Sequence, residues 1–267
     1  MIYNIIVLLA FFMFSIEIIR RHAYISFFIV IFAAIQLTPI ILQIQQTFVF
    51  TKTIISFFPL LIYLTYRIVY INQPQRLLKV STITFLRRFI YWLFYVNFFI
   101  NIIAACLVDG AEGAYFNMVS GLVLAFTIPM PSTGKWGTNR ETDQHLLLQV
   151  GKFWIFLYTS WNMALVLNYY PQYFIHVACL LFAPILYSMY YKDEKIWFYA
   201  RAISISISML IRGLYDFITP EVPFQYTVGP TFCYNWGILN FILSIVLVIY
   251  IFKNNINLYF PNKTQKK

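Results

Sequence analysis

Acidic residues are scarce in this chain: Asp and Glu number 9 of 267, and residues of either charge make up only 10%. A soluble domain carries about 25% charged residues, so too little polar surface remains to cover a water-exposed globule. Cysteine is scarce too. Cys106, Cys179 and Cys233 all fall in or beside apolar segments, without CxxC spacing, and their odd number argues against a disulfide framework. Buried small apolar residues is the role expected of them.

Several chemistries leave sequence marks that are missing here. There is no HExxH for a metalloprotease, no Gly-x-Ser-x-Gly elbow and no P-loop. No lysine sits mid-helix near the C-terminus to carry a retinal Schiff base, and His22 and His176 are isolated, which disfavours a haem pair. Thr227-Val228-Gly229-Pro230 shares three residues with a potassium filter but lies in a proline-rich stretch. The expectation is therefore a chain without cofactor or metal site.

What is present is apolar length. Hydrophobic residues make up 61%, with 28 Phe and 21 Tyr. About 20 apolar residues cross the roughly 30 Å hydrocarbon core of a bilayer as a helix. Nine such stretches can be read: 2–19, 24–43, 53–71, 85–108, 114–130, 151–170, 172–191, 196–218 and 233–252. Their length exceeds the roughly ten-residue alternation of barrel strands, and helices satisfy the backbone within lipid. The fold class expected is all-α, a polytopic helix bundle in a single transmembrane domain over 1–252, followed by a polar, basic tail over 253–267. The tail is expected to be disordered or to lie at the interface. The first stretch reads as an anchor that is kept, because Arg20 and Arg21 follow its apolar run instead of preceding it.

Loop charges orient the bundle. With the N-terminus outside, Arg20, Arg21, Arg76, Lys79, Arg87, Arg88, Lys135, Arg140, Lys192 and Lys195 fall in or beside inner loops, and the basic tail is cytoplasmic. The outer loops keep Lys52 together with Asp109, Glu112 and Glu221. That alternation follows the positive-inside rule and also accounts for the net charge of +10. Nucleic acid is not an expected partner, since no basic stripe interleaves with exposed aromatics. Lipid is. The fifth, sixth and seventh stretches are the weakest spans, and a re-entrant segment there is an alternative. The default location is a bacterial plasma membrane. An organellar inner membrane is the alternative, given the bias to Ile, Phe, Tyr, Asn and Lys.

Polar residues inside the apolar stretches mark where function can reside. Glu17 has Arg21 four residues on, an i,i+4 pair on one helix face, and Arg67 is expected to snorkel to the interface. On the eighth stretch Arg201, Ser204, Ser208, Arg212 and Asp216 recur at three- and four-residue steps, within an arc of roughly 120°. They form either interhelical glue or one wall of a polar pathway. Asn97, Asn101, Asn117, Ser120, Asn162, Asn168, Asn240 and Ser244 supply polar faces on the fourth, fifth, sixth and ninth stretches. Together they suggest an outward-facing polar cavity, with Asp109 and Glu112 at its mouth. In the loop Pro131 to His145, Glu141, Asp143 and His145 alternate. They would share one side only in extended backbone, so a solvated loop is expected, with Trp136 at headgroup depth.

The substrate-binding residues expected are thus Arg212, Asp216, Arg201, Ser208, Asn162, Asn240, Asn101 and Asn117. The function expected is a transporter or channel for a small anionic or zwitterionic solute, because desolvated guanidinium groups need a partner. A membrane-embedded enzyme acting on a lipid or lipid-linked group is the first alternative, with a carboxylate as acid or base. A structural subunit of a membrane complex is the second. Composition does not bear on the oligomeric state. If the stripe lines a pathway, uptake measured on well-expressed variants is lost more completely in Arg212→Ala than in Arg201→Ala. Normal uptake by Arg212→Ala would remove that reading.

Overall fold

The computed structural model describes residues 2–43, 60–68, 80–138, 146–214 and 229–259. Among the described residues the protein is all-α, 88% helical. Its helices are α1 (Ile2–Arg21), α2 (Ala23–Gln43), α3 (60–68), α4 (Val80–Ala111), α5 (Tyr115–Phe126), α6 (Lys152–Tyr169), α7 (Phe174–Tyr190), α8 (Trp197–Leu214) and α9 (Pro230–Tyr259). Each falls within or across one of the nine apolar stretches. Among the described residues four segments are long and apolar enough to cross a membrane: Ile2–Arg21, Ser81–Ala111, Pro171–Tyr190 and Thr231–Lys253. Helix α5, with 12 residues, is only about 18 Å long, shorter than the span expected over 114–130. Helix α9 runs on to Tyr259, so the start of the basic tail is helical.

Burial follows helical period but with inverted polarity. Along α9 the buried residues include Gly237, Asn240, Ser244 and Leu247, while Leu239, Ile242, Ile245, Val246 and Ile249 are exposed. Helix α8 buries Arg201, Ser204, Ser206 and Ser208 together with Trp197, Phe198, Ile203 and Ile207, so it is enclosed on every side. In water the hydrophobic effect would turn the faces of α9 the other way. An apolar solvent removes that drive and leaves hydrogen bonding and close packing to choose the inner face. Helix α4 shows the same exterior, with Phe85, Phe89, Trp92, Val96, Ile100 and Leu107 forming one exposed stripe. Its other face buries Phe94, Phe98, Ile102, Ala105, Cys106 and Asp109.

The helices pack in two groups. In one, α5 packs on α4, α6 and α9, and α9 also packs on α6. In the other, α1 packs on α2, α7 and α8. Contact between α6 and α7 joins them, as do aromatic rings: Phe98 of α4 meets Trp154 and Tyr158 of α6 and Trp197 and Phe198 of α8. Helix α3 sits against both groups, because Tyr63 contacts Phe94 and Tyr199.

Three sequence expectations are corrected locally. Arg67 does not snorkel; it is 1% exposed, and its guanidinium donates to the carbonyls of Ile19 and Arg20 at 2.8 and 2.7 Å. It thereby caps the C-terminal end of α1, whose last carbonyls lack intrahelical donors. The segment around Trp136 is not all solvated loop. β1 (Trp136–Thr138) pairs antiparallel with β2 (Leu146–Leu148). Trp136 itself is buried against Tyr91 and Phe198, and its indole N–H donates to the Pro129 carbonyl at 2.7 Å. Residues 139–145, including Glu141, Asp143 and His145, lie outside the described residues. Glu17 pairs with Arg21 as expected, but also with Arg20, Tyr187 and Tyr191, which ties the end of α1 to the end of α7.

Close approach within the first group depends on one glycine. A Cβ at Gly121 would overlap the Cys106 sulfur and lie 2.6 Å from the Trp161 ring. Gly121→Ala is therefore expected to destabilise the protein by about 1–3 kcal/mol through overpacking, read as a lower melting temperature in detergent. Gly113→Ala is a poor control because its φ is +81°. Gly137→Ala, with open space at its Cβ position, should leave the melting temperature unchanged.

Candidate functional site

The local chemistry around Arg201 begins with a proline on another helix. Pro184 lies inside α7 and has no N–H to give the carbonyl four residues earlier, which is that of Leu180. The freed carbonyl accepts from Arg201 Nη1 and from the Ser204 hydroxyl, each at 3.4 Å. Arg201 stands about one turn into α8, after a short 3-10 turn in which the Asp193 carboxylate accepts from the Lys195 N–H.

Arg201 is only 5% exposed. Its Nε donates to the Tyr158 hydroxyl at 3.4 Å, and its guanidinium lies 5.7 Å from the Tyr158 ring centroid. These contacts are long beside the 2.7–2.9 Å typical of charge-assisted bonds. Among the described residues, the carboxylate that forms ion pairs is Glu17, and its partners are Arg20 and Arg21. Arg201 is thus a buried cation answered by a ring face, a phenol and a carbonyl. It lines a cavity of about 30 Å³ with Asn97, Asn101, Phe94, Phe98 and Phe198. That volume suits about one water. Asn97 and Asn101 are half-buried, on the flank of α4 between its buried face and its exposed stripe.

A second polar constellation lies wholly in the group α4, α5, α6 and α9. The Trp236 indole N–H donates to Ser160 Oγ at 2.9 Å, and the Ser160 hydroxyl donates to Asn240 Oδ1 at 2.7 Å. Asn240 Nδ2 donates to Asn117 Oδ1 at 3.0 Å, and Asn117 Nδ2 to Asp109 Oδ2 at 2.9 Å. The Gly237 Cβ position lies 3.6 Å from the Asn117 backbone nitrogen, an ordinary van der Waals distance. Asp109, expected at a solvated mouth, is fully buried. The reason is that the chain turns sharply at 112–114 and α5 folds back along α4, bringing Asn117 over the carboxylate.

The residues singled out from sequence therefore divide. Asn117 and Asn240 bond to each other, and Asn101 shares a cavity with Arg201. Ser208 is hydrogen-bonded to His176 of α7 at 2.9 Å, and Ser204 also donates to the Arg201 carbonyl, so this part of the stripe faces α7. Asn162 donates to the Tyr158 carbonyl of its own helix and joins neither constellation. The backbone of Arg212 belongs to α8, but its side chain and the whole of Asp216 lie outside the described residues. Sequence reasoning passed over Ser160, Tyr158 and the Leu180 carbonyl. Of these only the last had a signal, a proline inside an apolar helix.

No protein family, curated protein or solved structure matches the chain. The class its own features define is an all-α protein with, among the described residues, four helices long and apolar enough to cross a membrane.

The amide pair can be tested directly. A double-mutant cycle of Asn117→Ala and Asn240→Ala, read from unfolding in detergent, should give a coupling of about 0.6–1.7 kcal/mol, the range of interhelical hydrogen bonds in lipid. Additive effects would mean that the two amides do not share a bond.

Proposed function

We propose that this chain is a multi-pass membrane protein of nine spans, with its N-terminus outside and its C-terminus cytoplasmic, that carries a small anionic or zwitterionic solute. The observation that supports the substrate class is the state of Arg201: buried, without a carboxylate partner among the described residues, and lining a cavity with two asparagines. An anionic oxygen at that point would replace long contacts with charge-assisted ones, and the two amides would add neutral hydrogen bonds. The inverted polarity of α9, the apolar exterior of α4 and the alternating loop charges support the spanning arrangement. A bacterial plasma membrane is the default location, and an organellar inner membrane the alternative.

One observation favours a second reading. A cavity of about 30 Å³ holds a water but not a solute without helix movement, and large aromatics cover much of the exterior: Phe14, Phe28, Phe32, Phe85, Phe126, Tyr190 and Phe252. A structural subunit of a membrane assembly would need no larger cavity, and part of that exterior would meet neighbouring subunits.

Thermal unfolding of the purified protein separates the two. Under the transport reading, soluble phosphorylated or carboxylated compounds raise the melting temperature, since a ligand at 100 times its Kd stabilises by about 2.7 kcal/mol. Arg201→Ala loses the response, while Arg201→Lys keeps part of it. Stabilisation by vesicles of anionic lipid alone would instead assign the site to a head group. No response to any anion, from a protein that unfolds once removed from larger native assemblies, would support the subunit reading.

A further inference from the structure

Asp109 is a second ionisable group in the bundle, and its surroundings differ in kind from those of Arg201. Its carboxyl is fully buried. The groups that face it are Cys106 on its own helix, Asn117 on α5, and Trp161 and Tyr169 on α6. Glu112, the nearest other carboxylate, acts on Tyr169 from the turn after α4. Among the described residues no lysine, arginine or histidine faces Asp109.

The hydrogen-bond chain that ends on this carboxyl has a fixed direction. An indole N–H can only donate, so Trp236 makes Ser160 Oγ an acceptor and sends the serine proton to Asn240 Oδ1. Asn240 must then present its NH₂ group to Asn117 Oδ1, and Asn117 its NH₂ group to Asp109 Oδ2. Oδ2 is therefore held as an acceptor by a relay reaching back to α9. Oδ1 is different: it is buried without a hydrogen-bond partner, as are the indole nitrogen of Trp161 and the hydroxyl of Tyr169 that approach it. Two orphaned donors thus lie beside one orphaned carboxylate oxygen.

We propose that Asp109 is a proton-binding site, at which Oδ1 takes up a proton from water and returns it. In the uptake step the carboxylate and a hydronium ion become a carboxylic acid and a water molecule, with no other bond made or broken. The charged form suits Trp161 and Tyr169, both of which can donate to Oδ1. The neutral form carries its hydrogen on Oδ1, and Tyr169 can then rotate its hydroxyl and accept. The Trp161 N–H cannot reverse, so protonation sets that indole against the new O–H and loosens α6 from α4. Oδ2 stays an acceptor in both forms, which leaves the relay to α9 intact. A buried charge without a counter-ion costs several kcal/mol in apolar surroundings, and gaining a proton removes that cost. As the coupling ion of a solute carrier, the proton rests on the transport reading; as a ligand of Asp109, it does not.

Infrared difference spectra of the full chain in nanodiscs, recorded against pH without added solute, test the site. The expected result is a protonated-carboxyl C=O band that grows as pH falls, shifts in D₂O, is lost in Asp109→Asn and persists in Glu112→Gln. Should Asp109→Asn fail to fold, Asp109→Glu should keep the band at a changed frequency. A band left in place by Asp109→Asn or unmoved by Asp109→Glu would overturn the proposal. So would a carboxyl whose protonation is constant over the pH range in which the protein is folded. Because no solute is present, these outcomes are independent of whether anions stabilise the protein through Arg201.

Discussion

The contact on which most of the rest depends is the meeting of aromatic rings where α4, α6 and α8 come together. The Phe98 ring centroid lies 5.1 Å from Phe198, 5.3 Å from Tyr158 and 5.9 Å from Trp154. Trp154 and Tyr158 stack at 5.3 Å and 10°, and Trp197 meets both edge-on. In lipid such a cluster gains little from hydrophobic transfer, so its contribution is ring geometry and dispersion. It holds Tyr158 where its hydroxyl can meet Arg201. It also supplies Phe94, Phe98 and Phe198 as walls of the cavity beside that arginine. The hairpin joins through Trp136, whose ring centroid is 5.2 Å from Phe198.

Around that junction the protein manages buried polarity in two ways. In the α1, α7 and α8 group, polar side chains satisfy backbone carbonyls that helix geometry leaves open. Arg67 caps α1, while Arg201 and Ser204 answer the carbonyl freed by Pro184. In the α4, α5, α6 and α9 group, side chains satisfy each other in a chain from Trp236 to Asp109. The first arrangement spends donors on fixed backbone acceptors and leaves Arg201 with an unbalanced charge. The second passes donor direction from residue to residue and leaves Asp109 with an unmatched oxygen. The two charges have opposite signs and belong to different constellations.

Much of this was legible in the chain. The apolar stretches marked where helices would form because their length and composition leave the backbone few other options in lipid. Asn117 and Asn240 were recognisable as interior groups because an amide in such a stretch seeks a partner. The i,i+4 spacing of Glu17 and Arg21 marked a pair, since both residues are on one turn of one helix. Asp109 was misread as exposed because its fate depends on Asn117 folding over it across a turn, which no helical period encodes. The described part of the stripe on α8, Arg201, Ser204 and Ser208, is buried. Whether it met water or α7 was a question about a neighbouring helix.

The sequence by itself determined the helical class and the apolar exterior, since each follows from local composition acting on one segment at a time. Only the tertiary structure decided that the expected polar cavity is two constellations. Hydrogen-bond partners are chosen by the approach of helices, and that approach depends on single contacts such as Gly121 against Trp161 and Pro184 releasing Leu180. Residues far apart in the chain, among them Trp236, Ser160 and Asp109, acquire a shared direction of donation only when those contacts bring them together.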